Sequence, residues 1–173
     1  MTNSDSNPSS DEVWLSLVFG EHQRPLMGYA THLMGDAERA SDVVQDTFVR
    51  LCKQPRENVE DRVRQWLFAV CRNRAMDILK KENRMKTLEN AGASQASRDG
   101  DPQQLIEKHD SARQAESLIG ELPPRQQEVI RLKVESDLSY REISELTGLS
   151  ISNVGFLLHT GLKSIRTRLA TIE

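Results

Sequence analysis

The sequence predicts an all-α protein made of two small helical domains joined by a flexible linker, the second ending in a helix-turn-helix. Three observations predict it. Apolar residues recur at three- and four-residue spacings through most of the 173 residues, the period of amphipathic helices. Between 89 and 103 that periodicity stops, and small polar residues with Gly and Pro read as a linker. Finally, Ser139 to Leu169 parses as two short helices around a tight turn. The layout is therefore a Ser-, Asn-, Asp- and Pro-rich stretch at 1–11 expected to be disordered, a helical domain at 12–88, the linker at 89–103 and a second domain at 104–173.

Taken in order, a helical pattern begins at Glu12, is expected to break near Gly20 and Pro25, and resumes through Leu26, Tyr29, Ala30 and Leu33 to Gly35. Asp36 opens the next helix, in which Ala40, Val43, Val44, Thr47, Phe48 and Leu51 form one apolar stripe before Pro55. A polar loop, 54–61, leads to a third helix with Val63, Trp66, Leu67, Val70, Cys71 and Ile78 expected inward. Trp66 falls in phase with Val63 and Val70, which favours a core anchor over a base-stacking platform. Along this third stretch Arg62, Arg64, Arg72, Arg74, Lys80, Lys81, Arg84 and Lys86 face only Asp77 and Glu82, the electrostatic footprint of a phosphate-binding surface.

Beyond the linker, Leu105, Ile106, Ala112, Ala115, Leu118 and Leu122 mark a helix that Pro123 ends, and Pro124 suits the first position of the next. Val129, Ile130 and Leu132 supply that helix's buried side. In the final motif, Ser139 and Glu142 are spaced as a capping box, and Ile143 and Leu146 form the apolar face. Gly148 stands where a left-handed reversal favours glycine, and Ser150 can cap the last helix. There Val154, Leu157 or Leu158, Leu162, Ile165 and Leu169 recur at helical spacing, leaving one face outward. Such a face can enter a DNA major groove. An ordinary helical hairpin carries the same caps, and these residues alone leave both open.

Chemistry is mostly excluded. Cys52 and Cys71 form no CxxC pair and read as small core residues; His22, His32, His109 and His159 have no metal-ligand spacing. Nucleotide-binding and nucleophile motifs are missing, so no catalytic residue, metal or cofactor is expected, and Asp36, Asp42 and Asp46 fit charge near a helix start. No apolar run is long enough for membrane insertion, and the polar, acidic N-terminus gives no secretory signal, so a cytoplasmic location is expected. The net charge of −3 mildly opposes nucleic-acid binding, but the local basic helix outweighs it.

From Leu26 onward the chain resembles the extracytoplasmic-function (ECF) sigma factors of bacteria. The likeness lies in Asp42-Val43-Val44-Gln45-Asp46-Thr47-Phe48-Val49-Arg50-Leu51, in Trp66 through Lys81, and in Leu122-Pro123-Pro124-Arg125-Gln126-Gln127 followed by the helix-turn-helix. The resemblance implies an alternative sigma factor that binds core RNA polymerase and promoter DNA, assists strand opening at the minus-ten element and has no enzymatic activity. It leaves open whether an anti-sigma factor holds the protein.

By the same resemblance, Asp42, Gln45, Asp46 and Arg50 would dock on polymerase. Arg72, Asn73, Arg74, Asp77, Lys80, Lys81 and Arg84, with the 54–61 loop, would receive the non-template strand. Asn73 and Asp77 lie four apart on one helix face, suited to holding an unstacked base beside neutralised phosphates. For the minus-thirty-five element, base contacts fall to Ser150, Ser152, Asn153, Phe156 and His159, with Phe156 set against a thymine methyl. Lys163, Arg166 and Arg168 are placed for phosphates. Relatives commonly carry Lys, Ser and Arg where this chain has Gly155, Phe156 and Leu157, so weaker or differently specified upstream binding is expected. Gly155 and Gly161 are also expected to weaken the helix. The main alternative is a helix-turn-helix regulator acting without polymerase; a sigma-sequestering mimic is a second.

Overall fold

A capping box starts the first helix earlier than its apolar pattern suggests. The Glu12 amide donates to Ser9 Oγ at 3.2 Å and the Ser9 amide donates to Glu12 Oε2 at 2.7 Å, so α1 runs Ser10–Met34. The structure, a computed structural model, describes residues 9–89 and 110–172. Thus 9–11 belong to a helix start, whereas the expectations for 1–8, for the linker, for Leu105 and Ile106 and for His109 fall outside the described residues. The chain folds as two separate units, Met1–Ser94 and Gln95–Glu173. Every described element is helical.

In the first unit, α1, α2 (Ala37–Cys52) and α3 (Val63–Glu89) pack on one another. Gly20 and Pro25 do not interrupt α1. Pro25 removes one backbone donor, yet Val18, His22, Leu26, Tyr29 and Ala30 are buried on the same side, so tertiary packing carries the helix through it. Gly35 (φ 69°) ends α1 left-handed, and Asp36 caps α2 through the Arg39 amide at 2.8 Å. The predicted α2 stripe is the buried one. Phe48 meets Phe19 of α1 with ring centroids 4.8 Å apart, and Tyr29 meets Phe68 of α3 at 5.4 Å.

The buried side of α3 is Leu67, Phe68, Cys71, Ala75 and Leu79. Val63, Trp66, Val70 and Ile78 are only half-buried, so the inward face is rotated from the one expected and Trp66 is no fully buried anchor. Cys71 is buried as expected; Cys52 is exposed at the last residue of α2, just past the stripe that ends at Leu51. The 54–61 loop contains two short 3₁₀ turns, Arg56–Asn58 and Glu60–Arg62, around buried Val59. Arg56 fastens it to α1 by lying 5.4 Å over the Trp14 ring and donating to Ser10 Oγ at 3.2 Å.

The second unit holds α4 (Asp110–Gly120), α5 (Pro124–Ser136), α6 (Tyr140–Thr147) and α7 (Ile151–Ile172). Four consecutive α5 residues, Val129 to Leu132, are buried, so α5 is its central helix. The buried cation among them, Arg131, pairs with Glu116 of α4 and, at 3.1 Å, with Glu135. Burial raises the Glu135 pKa, with Arg131 opposing. α7 crosses α5 at Gly161, which is buried; a Cβ there would lie 2.7 Å from Ile130 Cδ1. A Cβ there would make the end of Ile130 shift, so this glycine favours close helix packing as well as weakening the helix.

Candidate nucleic-acid interface

The helix-turn-helix forms as its sequence dictates. The Glu142 amide donates to Ser139 Oγ at 3.2 Å, the Ser139 amide to Glu142 Oε2 at 2.7 Å, and Gly148 adopts φ 75°. Ser144 Oγ donates to the Leu149 carbonyl at 2.6 Å, closing the turn, and the Asn153 amide donates to Ser150 Oγ at 3.2 Å, capping α7.

On α7, Val154, Leu158 and Gly161 face the core and Ile165 is half-buried. Ser152, Phe156, His159, Lys163 and Arg166 recur at four and three residues and are all exposed, a single outward stripe. Asn153 is not on it. It is half-buried and in phase with Leu157 and Thr160, the latter accepting a 3.2 Å hydrogen bond from Gln126. Ser150 is exposed, but its hydroxyl oxygen is occupied as the cap. Arg168 pairs with Glu121, whereas Lys163 and Arg166 make no ion pair among the described residues. Leu162 (44% exposed) and Leu169 (37%) lie outside the core they were expected to join, because Gly161 rather than Leu162 sits at the helix crossing.

On α3, Asn73, Asp77, Lys80, Lys81 and Arg84 are exposed along one face. With Arg74, the last four line a shallow groove of about 490 Å³ whose apolar wall is Ile78 and Met85. Lys80, Lys81 and Arg84 make no ion pair among the described residues, while Arg64 is tied to Glu21 at 3.2 Å. Arg72 is half-buried. Arg74 turns toward α2: its Nε lies 3.2 Å from Asp46 Oδ2, which also lies 3.2 Å from Arg50 Nε. That oxygen is buried and accepts no aligned hydrogen bond, so the contacts are coulombic. One carboxylate thus holds Arg50, expected to face polymerase, against Arg74, expected to face DNA. Asp42 and Gln45 stand exposed on α2.

Two features escaped the sequence. His22 is buried, and burial lowers its pKa, with Glu21 opposing and Arg64 adding to the shift. The interhelical role of Asp46 also has no local signal, since Arg74 is 28 positions away. Among the described residues, no three His, Cys, Asp or Glu side chains form a metal-binding group, and no helix is long and apolar enough to cross a membrane.

Both helical units match sigma-70 families. Residues 18–85 match the Sigma-70 region 2 family and residues 112–165 match Sigma-70, region 4. The chain is 29% identical over 168 residues to the ECF RNA polymerase sigma factor SigL of Mycobacterium tuberculosis, covering 93% of this chain and 92% of that one. It is 24% identical to the RNA polymerase sigma factor YlaC of Bacillus subtilis, covering 82% and 84%. Its fold is similar to that of the sigma factor RpoE solved with the anti-sigma factor NepR from Bartonella quintana (TM-score 0.67, 21% identity, 94% of this chain and 98% of that one). It is also similar to CnrH solved with the cytosolic domain of CnrY (TM-score 0.59, 21% identity, 95% and 93%). The chain belongs to the ECF RNA polymerase sigma factors. It is an alternative sigma factor that directs transcription.

Proposed function

We propose that the chain docks on core RNA polymerase through the polar side of α2 and holds the separated non-template strand at the minus-ten element along the outward face of α3. The stripe on α7 reads the minus-thirty-five element in duplex form, and the protein supplies no catalytic step of its own. What supports the reading most is the α3 face, where three cations with no ion pair among the described residues stand beside Asn73 and Asp77 on one side of a helix whose other side is core. Cations can neutralise phosphates while the amide and carboxylate contact an unstacked base, offsetting the few kcal/mol, roughly, that unstacking costs. Arg74 positions this face against α2 through Asp46, coupling polymerase docking to strand capture.

An anti-sigma factor is a further partner in this proposal, by likeness to RpoE, and the site of action is the cytoplasm, where polymerase works. The test is co-purification with core polymerase followed by mapping of transcript starts in a reconstituted reaction. Starts sharing two upstream elements are expected only when the chain is added. Tight sequence-specific binding to duplex DNA without polymerase, and none to core enzyme, would instead establish the stand-alone regulator.

A further inference from the structure

The 54–61 loop has little local structure to hold its shape. Its backbone forms two short 3₁₀ turns, Arg56–Asn58 and Glu60–Arg62, and neither has a capping side chain. Turns of this kind have weak hydrogen-bond geometry and do not persist alone. One apolar side chain, Val59, is buried between them. The remaining restraint comes from arginine.

Arg56 is the cation of the first turn, and an unpaired arginine there would be a phosphate ligand. Its guanidinium is instead engaged by four residues. Nε donates to Glu60 Oε2 at 2.7 Å, tying the first turn to the second. Nη1 donates to Ser10 Oγ at 3.2 Å and lies 3.6 Å from Asp11 Oδ1. The guanidinium carbon sits 5.4 Å over the centre of the Trp14 ring. Ser10, Asp11 and Trp14 all belong to the first two turns of α1. A second arginine repeats the connection just past the loop, where Arg64 of α3 donates to Glu21 of α1 at 3.2 Å. The segment is thus held to α1 at both ends and leaves Glu57, Asn58 and Asp61 exposed between them. Each exposed pair contributes little alone, but several converging on one planar group select a single loop conformation. Arginine suits this use because its fork donates in two directions while its face stacks on an indole, a geometry that lysine lacks.

We infer that Arg56 is a positioning residue: clasped by Ser10, Asp11 and Trp14, it holds the 54–61 loop in the shape that receives the minus-ten strand. The start of α1 thereby acts on strand capture without touching DNA. This inference rests on the proposed reading that the loop, with the α3 face, receives that strand.

The test uses the chain assembled with core polymerase and a single-stranded oligonucleotide carrying the non-template minus-ten sequence of a promoter mapped from its transcript starts. Each base is removed in turn to leave an abasic site. Loss of a base held by the protein should lower affinity roughly tenfold. The triple substitution Glu57→Ala/Asn58→Ala/Asp61→Ala marks the positions that the loop contacts, because abasic sites there no longer matter to that protein. Arg56→Lys, which keeps the charge, and Trp14→Leu, which removes no phosphate ligand, should each erase the same positions and spare the others, with core binding retained. If the loop triple erases a position that either of these variants preserves, the loop receives the strand and the clasp is wrong. If Arg56→Ala weakens binding while Arg56→Lys and Trp14→Leu do not, Arg56 is a phosphate contact and the inference fails. Equal weakening at every position is a general loss of fold and also overturns it. If the loop triple erases nothing, the loop does not receive the strand, and the reading beneath the inference fails with it.

Discussion

The outward faces of α3 and α7 are built on the same plan and filled with opposite chemistry. Each is an exposed stripe on a helix whose other side is core. On α3 the stripe carries Lys80, Lys81 and Arg84 beside Asn73 and Asp77; on α7 the first half is Ser152, Phe156 and His159, flanked by exposed Ile151, and the first Lys or Arg is Lys163, followed by Arg166. A charged face binds any phosphate chain, strongly and with a steep dependence on salt. An apolar face adds little general affinity but can tell one base edge from another. Under the proposed function, most of the grip on DNA falls to the first unit and most of the upstream discrimination to the second.

The largest effect should come from the charged face. Changing Lys80, Lys81 and Arg84 together to Ala is expected to lower run-off transcription roughly a hundredfold, at about 1 kcal/mol per lost contact. The slope of log occupancy against log salt should flatten by about 2, as expected for three single-strand phosphate contacts. Core binding should persist, as measured by co-elution. An unchanged salt slope would erase the contrast between the two faces.

A smaller effect separates the two glycines of α7. Gly161→Ala places a methyl 2.7 Å from Ile130 Cδ1, the end of a side chain that is 1% exposed, so that end must shift within the core. Overpacking of about 1–3 kcal/mol outweighs the helix gain of about 1 kcal/mol. Gly155→Ala should be neutral or stabilising by about 1 kcal/mol, since Tyr140 leaves room. Denaturant unfolding of both variants measures the pair, and equal costs would contradict the difference in packing at the two glycines.

The smallest effect is a pH dependence confined to the first unit. Because burial holds the His22 pKa below 6.5, the unfolded chain takes up that proton first. The contribution is fully present above about 6.5 and is lost as pH falls from there toward the lowered folded value. Both tryptophans, Trp14 and Trp66, lie in this unit, so their fluorescence during thermal unfolding reports it. His22→Gln should flatten the decline between about pH 7 and about pH 5.5, with Glu21 and Arg64 left in place.

Local signals made much of this legible. The capping box at Ser139, the left-handed position at Gly148, the helix end at Gly35 and the α2 stripe follow from short-range chemistry and stand as the sequence predicts. Where tertiary packing decides, the sequence was a weaker guide. Pro25 stays within α1 because the helix is held by its buried side, and the buried side of α3 is Phe68, Ala75 and Leu79 rather than Trp66 and Val70. Leu162 looked like core in its apolar period, yet the crossing with α5 is made at the glycine beside it. The candidate contacts divide in the same way. The exposed α3 set was readable as a face, and Asn153 leaves the α7 stripe by helical phase, but the Asp46 link between Arg50 and Arg74 depends on a neighbour distant in sequence.

The central claim, that the α3 face holds the opened strand, is tested most directly by permanganate reactivity of thymines in the minus-ten region of a mapped promoter bound by the reconstituted holoenzyme. The unaltered protein should make those thymines reactive. Lys80→Ala/Lys81→Ala/Arg84→Ala should leave them paired and unreactive while the chain remains bound to core polymerase. Equal reactivity with both proteins would contradict the account.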